Sequence, residues 1–401
     1  MKNRFLICLT GFALLVVSGI SQSGFAQNAE HRAGALKSVE WSASKARVHV
    51  DCDKQQSLGQ ALQHARPGTT IFFTGTCHEQ IQIREDYIRL RGMHGAVIDG
   101  GIGEILFPGT ITVQGARGVM IKNLTVQNGP DQGIVIEANS SALLENVTTT
   151  GNTTTGVTVD SSYAELKNVN ANENGSGFDF FTSATVIAQG ALTAENNSGG
   201  PGVAVNGNAT LELRGAIVET HNNGGDGVLL VNNANLMILS FPESQGSGVR
   251  ASANRGNAGM FLANSNVAIV GSQYAGSGAN FFDIKDHQGP GMLLISSNLA
   301  SPFATARFNL TSNGAGMVLV DNTDVTIVGG LQISGNFGPG IVGEGAGVVR
   351  IEQNPDNPSA ISGNFAPDMV LSFGTRLVLD EHIANAVICD GSVLTLRAGC
   401  S

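Results

Sequence analysis

The stretch GIVIEANSSALLENVTTTGN, residues 133–152, and the stretch GVTVDSSYAELKNVNANEN, residues 156–174, share one pattern. Each begins with glycine and a short alternating strand, and then continues through a polar turn into a second strand. A third short strand and an asparagine-rich turn follow. Such a repeat cannot bury its own apolar face, whereas stacked repeats can. The pattern therefore predicts one coil of a β-solenoid.

The pattern recurs along most of the chain. Its steps are 23, 21, 25, 25, 32, 32, 25 and 24 residues. Asn152, Asn223 and Asn336 each lie four residues before a leading glycine, where turn asparagines tolerate left-handed φ and can stack. We expect parallel pairing between coils about 4.8 Å apart, whereas the competing architecture, a β-sandwich, would have longer and less evenly spaced strands. The leading glycines are Gly133, Gly156, Gly177, Gly202, Gly227, Gly259, Gly291, Gly316 and Gly340.

The N-terminal residues have the composition of a signal peptide. Lys2 and Arg4 precede an apolar run, and small residues before position 27 suit cleavage after Ala26. The run is shorter than the roughly 20 residues that a membrane span needs. We therefore predict a signal peptide over 1–26, a flexible lead-in over 27–47 and a single domain over 48–401. The expected protein is soluble, exported to the periplasm or beyond the cell, and bacterial.

Charge and cysteine content restrict the partners. The whole chain has 22 Lys and Arg against 32 Asp and Glu. Removal of residues 1–26 leaves 20 against 32, a net charge of −12. This balance argues against nucleic acid and anionic membranes as partners. Four cysteines remain as two local pairs, and an oxidising compartment favours disulfides between Cys52 and Cys77 and between Cys389 and Cys400.

The stretch QSLGQALQHARPGTTIFFTGTCHEQIQIREDYIRLRGMHGAVIDG, residues 56–100, resembles the N-terminal segment of right-handed parallel β-helix proteins of the pectin-lyase-like superfamily. The resemblance covers roughly residues 50–400. It implies an all-β, right-handed parallel β-helix of about ten or more coils, with a short N-terminal capping helix. Leu58, Ala61, Leu62 and Ala65 have the helical spacing of such a cap. We expect cap and first coils over 48–101, repeat coils over 102–374 and closure over 375–401.

The superfamily hosts many activities, so its fold does not define a reaction. The triplet Asn322-Thr323-Asp324 resembles a fragment of the pectin hydrolase motif set, whose other members are Asp-Asp, Gly-His-Gly and Arg-Ile-Lys. None of these follows position 324, and the triplet aligns with polar turns of other coils. We interpret it as a turn. Asp226 in GGDGV resembles one turn of a calcium-binding roll, but the motif is not repeated in tandem. Calcium is therefore unsupported, and no cofactor or metal is predicted.

Two consecutive 32-residue coils span 227–291, and extra residues in a coil become external loops, where solenoids usually build sites. Counting back four positions from the leading glycines places Arg255 beside His287 on adjacent coils. A histidine or arginine there could act as a base, and a lysine could neutralise a carboxylate. The alternative is a solvated loop with weak ion pairs. The candidate catalytic residues are Arg255, His287, Lys285, Asp283 and Asp286, and the candidate binding residues are Arg250 and Tyr274.

A second feature is an apolar series at the position two after each leading glycine. Alternation along the strand predicts that this position faces outward. A long apolar surface of this kind is usually covered by another segment of the protein or by a partner. We therefore expect either an intramolecular cover or self-association. The alternative is that β-branched residues stand there only as good strand formers. The series is Val135, Thr158, Asp179, Ala204, Leu229, Phe261, Leu293, Val318, Val342 and Val370, and it is apolar from Leu229 onward.

Two main functions follow from these observations, with a periplasmic accessory protein for a metal or a sugar as a weaker third, and the residues do not decide whether the chain is an enzyme. The first is an exported protein with a surface-interaction or structural role and a polysaccharide or cell-surface partner. The second is a carbohydrate-active enzyme, a lyase or hydrolase, that uses the patch on coils 227–291. The scarcity of paired carboxylates, Trp and basic residues favours the first, and the extended coils favour the second.

Overall fold

The computed structural model describes residues 46–101, 103–239, 246–270, 280–302, 306–396 and 400. The predicted signal peptide and nearly all of the predicted lead-in lie outside the described residues. Residues Ser44–Ser401 form one compact unit. Within its described part the chain is a parallel β-solenoid, and every strand pairing is parallel. Each coil has three faces, which we number in the order in which a coil visits them.

Face 1 is a sheet of 13 strands that begin at or near the leading glycines. Its strands are β4 (Ile81–Ile83), β7 (Gly109–Gln114), β9 (Gln132–Glu137), β11 (Thr155–Asp160), β13 (Ser176–Phe181), β15 (Val203–Asn206), β17 (Val228–Val231), β20 (Met260–Ala263), β23 (Pro290–Ile295), β26 (Ala315–Val320), β29 (Ile341–Glu344), β32 (Met369–Ser372) and β34 (Val387–Cys389).

Faces 2 and 3 belong to one 22-stranded sheet because five long strands bend from one face into the other. The strands on face 2 are β1 (Arg47–Asp51), β2 (Thr70–Thr74), β5 (Arg89–Gly92), β18 (Asn235–Leu239), β21 (Asn266–Val270), β24 (Asn298–Ser301), β27 (Asp324–Val328), β30 (Val348–Glu352), β33 (Arg376–Leu379) and β35 (Leu394–Leu396). The strands on face 3 are β3 (Thr76–His78), β6 (Val97–Asp99), β19 (Gly248–Ser252), β22 (Asn280–Lys285), β25 (Ala306–Thr311), β28 (Leu331–Ser334) and β31 (Ala360–Ile361). The bent strands are β8 (Val119–Gln127), β10 (Ser141–Thr150), β12 (Tyr163–Asn172), β14 (Thr185–Glu195) and β16 (Thr210–His221).

The bend in each long strand is made by one residue with positive φ. Asn123, Asn146 and Asn168 have φ of 56°, 54° and 53°, and Gly190 and Gly215 have 71° and 64°. Asparagine and glycine are the residues that adopt this conformation most readily. One left-handed residue thus turns the chain without ending the strand. The asparagines at this bend in the early coils are therefore explained by the left-handed backbone conformation that the bend requires.

The extra residues of the two long coils fall at this same bend. β18 ends at Leu239 and β19 begins at Gly248, and in the next coil β21 ends at Val270 and β22 begins at Asn280. The long coils therefore separate face 2 from face 3 with loops, as the sequence predicts for inserted residues. Residues 240–245 and 271–279 of these loops lie outside the described residues, and Tyr274 is among them.

The core is the inside of the stack. On each strand the inward side chains alternate with outward ones, and those of equivalent rows stack from coil to coil, as in the row that includes Ile134, Val157, Phe178 and Val203. Phe282 and Phe308 stack inside on adjacent coils with ring centroids 5.0 Å apart. Each buried side chain therefore contacts the next coil, which is how short strands share one core.

The N-terminal end is covered by a 3₁₀ turn (Cys52–Lys54) and helix α1 (Leu58–Gln63). Leu58 and Leu62 are buried against the first coils, and Ala61 and Ala65 pack beside them. Glu79 accepts hydrogen bonds from the backbone N–H groups of Leu58 at 2.6 Å and Gly59 at 3.0 Å. A carboxylate there satisfies free N–H groups of the first helical turn.

The structure joins the two expected cysteine pairs, with Cα–Cα distances of 5.0 Å for Cys52 and Cys77 and 5.5 Å for Cys389 and Cys400. The first bond lies beside α1 and the second lies at the last coil. The predicted closure over 375–401 is built mainly of further coil strands, because β33, β34 and β35 continue the ladders of β30 and β32. Over the described residues, no helix is both long and apolar enough to cross a membrane.

Candidate functional site

The turn from face 3 to face 1 contains a buried asparagine ladder. From Asn174 onward, the side-chain Oδ1 of each ladder asparagine accepts the backbone N–H of the ladder residue one coil earlier, at 2.9–3.2 Å. Several Nδ2 groups donate to a backbone carbonyl of the preceding coil, as from Asn223 to Ala194 at 2.9 Å. The amide thus satisfies groups that a buried turn would otherwise leave without partners. The ladder comprises Asn152, Asn174, Asn197, Asn223, Asn254, His287, Asn313, Asn336 and Asn364.

The ladder explains the leading glycines. A Cβ at Gly227 would lie 2.8 Å from Asn254 Nδ2, and a Cβ at Gly291 would lie 2.8 Å from Asn313 Nδ2. The leading glycines before and after them meet the ladder residue of the following coil in the same way. Real Cβ atoms do not approach this closely, so a side chain at a leading glycine would displace the ladder side chain or the neighbouring backbone carbonyl. The repeated glycine and asparagine of the sequence are therefore one structural device.

His287 is the exception in the ladder. Its backbone N–H donates to Asn313 Oδ1 at 3.2 Å, as a ladder residue should. Its ring nitrogens face two backbone carbonyls: Nε2 lies 3.2 Å from Ala251 O, and Nδ1 lies 3.3 Å from Asn254 O. A neutral imidazole has only one N–H, and it offers no amide oxygen to the N–H of Asn254. Burial lowers the pKa of His287. His287 is thus a buried structural residue of an imperfect rung.

The expected vertical pairing of Arg255 with His287 is wrong by one residue. The ladder partner of His287 is Asn254, because the turn from Asn254 to Gly259 is one residue longer than the turn from His287 to Gly291. Arg255 follows the ladder position, is exposed, and donates its backbone N–H to Asn223 O at 2.9 Å. The count from the leading glycine fails because it assumes turns of constant length.

The other predicted residues of the patch that the structure describes lie on the outside of the solenoid, apart from the buried His287. Asp283 pairs in register with Arg250 on face 3 and accepts a hydrogen bond from Asn309 Nδ2 at 3.1 Å. Arg250 pairs with Glu219 at 2.7 Å and lies 4.8 Å from the ring centroid of Phe281. Lys285 and Asp286 are exposed at the end of β22. The structure brings these residues to one side of the solenoid, but the imidazole lies inside it.

The triplet Asn322-Thr323-Asp324 forms the turn between β26 and β27, as predicted. Asn322 has φ of 53°. Thr323 is buried, and its hydroxyl donates to Val320 O at 2.6 Å. Asp324 Oδ1 accepts the backbone N–H of Val348 at 2.7 Å. All three residues therefore serve the local backbone.

Asp226 also has a structural place. It is buried, and its Oδ1 accepts the backbone N–H of Ala258 on the next coil at 2.8 Å. Burial raises the pKa of Asp226. Among the described residues, the one group of acidic, cysteine and histidine side chains with metal-compatible spacing is Cys52, Cys77 and Glu79. Its two cysteines form a disulfide and its carboxylate binds the start of α1, so these side chains are already engaged.

A cluster of titratable side chains lies on the outer side of face 2. The Tyr163 hydroxyl donates to Glu165 Oε1 at 2.8 Å, and Arg214 Nη2 donates to Glu212 Oε2 at 3.1 Å. Burial raises the pKa of Tyr163, and the negative charge of Glu165 raises it further. Each of these four side chains thus has a hydrogen-bond partner within the cluster. We assign it to stabilisation of the bent strands β12 and β16.

The acidic pair Asp160 and Asp179 lies on the outer side of face 1 and was not found by sequence reasoning. Register places Asp179 beside Thr158 and Asp160 beside Phe181, so the two carboxyl groups stand diagonally on adjacent coils. Burial raises the pKa of Asp179, and the charge of Asp160 raises it further. Within the described part of the chain, no hydrogen-bond donor reaches the Asp179 carboxyl group. An unpaired, half-buried carboxyl group with a raised pKa is a candidate for acid–base chemistry.

Asp179 belongs to the predicted outer row of face 1. Register confirms the row, because its members pair consecutively from coil to coil. From Leu229 to Val370 every member is apolar and half-buried. Val135, Thr158 and Ala204 are buried although they point outward, and the Gln132 side chain lies against Thr158. The continuous apolar part of the row, which starts at Leu229, therefore begins one coil after Ala204 and two coils after Asp179.

Residues 109–240 match the family model described as a right handed beta helix region. A search of curated proteins found no match. Among solved structures, the chain is similar to a pectate lyase, with TM-score 0.36, 16% identity, and coverage of 66% of this chain and 79% of that one. It is also similar to an exopolygalacturonase of Yersinia enterocolitica, with TM-score 0.41, 12% identity and coverage of 90% and 77%. A mannuronan C-5 epimerase module of Azotobacter vinelandii gives TM-score 0.35, 14% identity and coverage of 88% and 91%.

The matched region and the coil geometry together identify the class. Residues 109–240 match a right handed beta helix region, and the described coils on both sides of it continue the same parallel β-solenoid. The predicted all-β parallel β-helix is thus confirmed, and the β-sandwich alternative is excluded by the consistently parallel register.

Proposed function

We propose that the protein is an exported surface-interaction protein that associates with a second copy of itself through the outer row of face 1. The observation that carries this proposal is the unbroken apolar part of the row, from Leu229 to Val370, on consecutive coils. With a rise of about 4.8 Å per coil, it forms a straight apolar strip more than ~20 Å long. Two such strips can pack face to face, as sheets do at about 10 Å separation.

Export is part of the proposal and is supported by the leader-like composition of residues 1–26 and by the disulfide bonds. Disulfides persist in oxidising compartments, and two of them close the ends of the stack. Fractionation of cells that produce the full-length chain, with sequencing of the N-terminus of the recovered protein, tests export. Recovery of an uncleaved chain from the cytoplasm would contradict it.

Self-association is tested by light scattering on the purified exported protein. The double variant Leu293→Thr/Val318→Thr keeps strand-forming side chains but makes the middle of the strip polar. We expect a dimer for the natural chain and a monomer for this variant. Val328→Thr, which changes a half-buried outward residue of face 2, is the matched control and should remain dimeric. A natural chain that remains monomeric at a protein concentration of tens of micromolar would contradict the proposal.

The second candidate function is a carbohydrate-active enzyme, and the acidic pair favours it. Hydrolysis of a glycosidic bond requires one protonated and one ionised carboxyl group, and the raised pKa of Asp179 beside Asp160 provides such an asymmetry. The patch on coils 227–291 keeps Arg255 and Lys285 as exposed cations, but both ring nitrogens of His287 face backbone carbonyls. We therefore place acid–base chemistry at the acidic pair rather than at His287.

The enzyme hypothesis is tested by incubation with neutral and acidic polysaccharides. New reducing ends report hydrolysis, and unsaturated ends that absorb ultraviolet light report elimination. If the acidic pair is catalytic, Asp179→Asn abolishes product formation while Asp356→Asn, at an exposed turn, leaves it unchanged. If Arg255→Ala abolishes it instead, the chemistry belongs to the long coils. Absence of product with every polysaccharide rejects this candidate.

A further inference from the structure

The charge of the chain is distributed unevenly along the solenoid. Residues 46–122, which build the first coils, carry 8 Lys and Arg against 7 Asp and Glu, a net charge of +1. Residues 123–401 carry 9 against 23, a net charge of −14. The negative balance that disfavours anionic partners over the surface as a whole therefore does not apply to the first coils.

Four cations of these coils lie close together on the outer side of face 2. Arg89 and Arg91 are two positions apart on β5, so both side chains point outward. Register places Arg47 two coils before Arg89, and it places Lys122 one coil after Arg91. At a rise of about 4.8 Å per coil, the four residues extend over about 14 Å. We call Arg47, Arg89, Arg91 and Lys122 the basic cluster.

The three arginines of the basic cluster lack acidic partners. Lys122 forms an ion pair with Glu145. Over the described residues, however, no carboxylate forms an ion pair with Arg47, Arg89 or Arg91. Like charges at this spacing repel one another. The fold therefore holds three unpaired guanidinium groups together against their mutual repulsion, and an anion that binds among them would relieve it.

Arg91 shows the clearest need for a partner. Its Nε atom is buried, and nothing in the described part of the chain accepts a hydrogen bond from it. Buried polar groups in native proteins nearly always have a partner, and a charged donor without one is costly. The side chain as a whole is only half-buried, so a change of rotamer brings its guanidinium group to the surface of face 2. An anion bound there would satisfy a donor that the chain itself leaves unsatisfied.

An aromatic pair lies beside these cations. Phe72 stands between His49 and Arg91 in one outward row of face 2. The rings of His49 and Phe72 are stacked, with centroids 5.1 Å apart and planes that differ by 14°. The apolar ring next to Arg91 lowers the local dielectric, and a lower dielectric strengthens the attraction between a guanidinium group and an anion.

We propose that the basic cluster is a binding site for phosphate groups. A guanidinium group is always charged, and its planar donors match the oxygens of phosphate. The oxygens of a phosphate group are arranged as a tetrahedron, so arginines from different coils can each bind a different oxygen. A carboxylate offers only two oxygens in one plane. Phosphate groups can come from a soluble phosphate compound or from the headgroups of an anionic lipid membrane, and the chemistry of recognition is the same.

The proposal goes beyond self-association, because the basic cluster lies on face 2 and the apolar outer row lies on face 1. A chain that is monomeric in light scattering can still bind phosphate, and a dimer can fail to bind it. The outcome of one experiment therefore does not decide the other.

Binding is measured on the purified exported protein with probes that separate the two sources. Inorganic phosphate and pyrophosphate are titrated by calorimetry, and vesicles of phosphatidylglycerol in phosphatidylcholine are tested by co-sedimentation. Binding of pyrophosphate alone identifies a soluble phosphate compound as the ligand, and binding of the anionic vesicles identifies a membrane headgroup. Citrate, a multivalent carboxylate, and vesicles of pure phosphatidylcholine are the comparisons. Added salt should weaken binding, since the interaction is between charges.

The double variant Arg89→Gln/Arg91→Gln removes two charges from the centre of the cluster and keeps polar side chains. We expect at least a tenfold loss of affinity for the phosphate probe that the natural chain binds. Arg47→Gln, at an exposed position, should also weaken binding, and it tests the cluster if the double variant does not fold. Arg376→Gln is the matched control, because Arg376 is an exposed arginine on face 2 near the other end of the stack. It should bind like the natural chain.

Three results overturn the proposal. The first is a natural chain that binds neither the soluble phosphates nor the anionic vesicles. The second is binding of citrate as tight as that of pyrophosphate, which would show that charge alone attracts the ligand. The third is a set of variants that does not distinguish the cluster: folded Arg89→Gln/Arg91→Gln and Arg47→Gln proteins that bind like the natural chain, or an equal loss of binding in Arg376→Gln.

Discussion

His287 shows how much one side chain can change a repeat. A typical ladder asparagine accepts one backbone N–H and donates to one backbone carbonyl, whereas the imidazole of His287 faces two carbonyl acceptors with one N–H. The backbone N–H of Asn254 consequently has no amide oxygen on the next coil to which it can donate. Burial lowers the pKa of His287, against the opposing effects of the two carbonyls, Asp286 and Asp226. The residue that the sequence suggests for catalysis is therefore a site of imperfect packing.

We predict that His287→Asn stabilises the protein by about 1 kcal/mol, the net worth of one recovered hydrogen bond. The effect should grow as the pH falls. The unfolded histidine binds a proton below a pKa of about 6.5, while burial lowers the pKa of the folded one, so the natural chain loses stability as the pH falls through about 6.5. Urea unfolding at pH 8 and pH 5.5 measures both effects.

The comparison variant for this prediction is Asn313→Ala, which removes a complete ladder amide. It should destabilise the chain at both pH values, because buried backbone groups lose their partners. Two outcomes would show that the imidazole fits the rung well. The first is a His287→Asn protein that is less stable than the natural chain at pH 8. The second is a His287→Asn protein that loses as much stability as the natural chain between pH 8 and pH 5.5.

At the scale of elements, the turn from face 3 to face 1 couples the ladder to the first residue of each face 1 strand. We predict that Gly227→Ala destabilises the protein by about 1–3 kcal/mol, as overpacking does. Its Cβ would lie 2.4 Å from Gly259 O and 2.8 Å from Asn254 Nδ2. Gly391→Ala is the control, because no heavy atom lies within 4 Å of its Cβ. Thermal unfolding compares the two; equal midpoints would refute the coupling.

At the scale of the whole molecule, the two disulfides close the ends of the stack. They span 25 and 11 residues, and loops of this size gain about 3 kcal/mol each from restriction of the unfolded chain. We predict that reduction lowers the midpoint of thermal unfolding and that Cys52→Ser/Cys77→Ser accounts for part of the loss. Calorimetry with and without reductant measures this. A midpoint that reduction leaves unchanged would mean that the stacked coils alone set the stability.

At each scale, some features could be predicted from the sequence and others could not. At residue scale, the turn at Asn322-Thr323-Asp324 was predictable because its sister turns share its polarity. The place of Arg255 was not, because the number of residues between a ladder residue and its glycine varies. At element scale, the outward series was predictable because strand alternation is local. The acidic pair was not, because Asp160 and Asp179 are diagonal neighbours only in the parallel register.

The sequence by itself determined the coil, its repeat and the stacking of the coils, since these follow from local alternation, turn residues and the need to share a core. Only the tertiary structure decided which side chains of different coils become neighbours. It buried His287 in the ladder, separated it from Arg255, and brought Arg47 near Arg89 on the outside. The physical reason is that turns of different length can join the same strands without disturbing their pairing. The register between coils is therefore set by the ladder and the core, and not by a constant number of residues per coil.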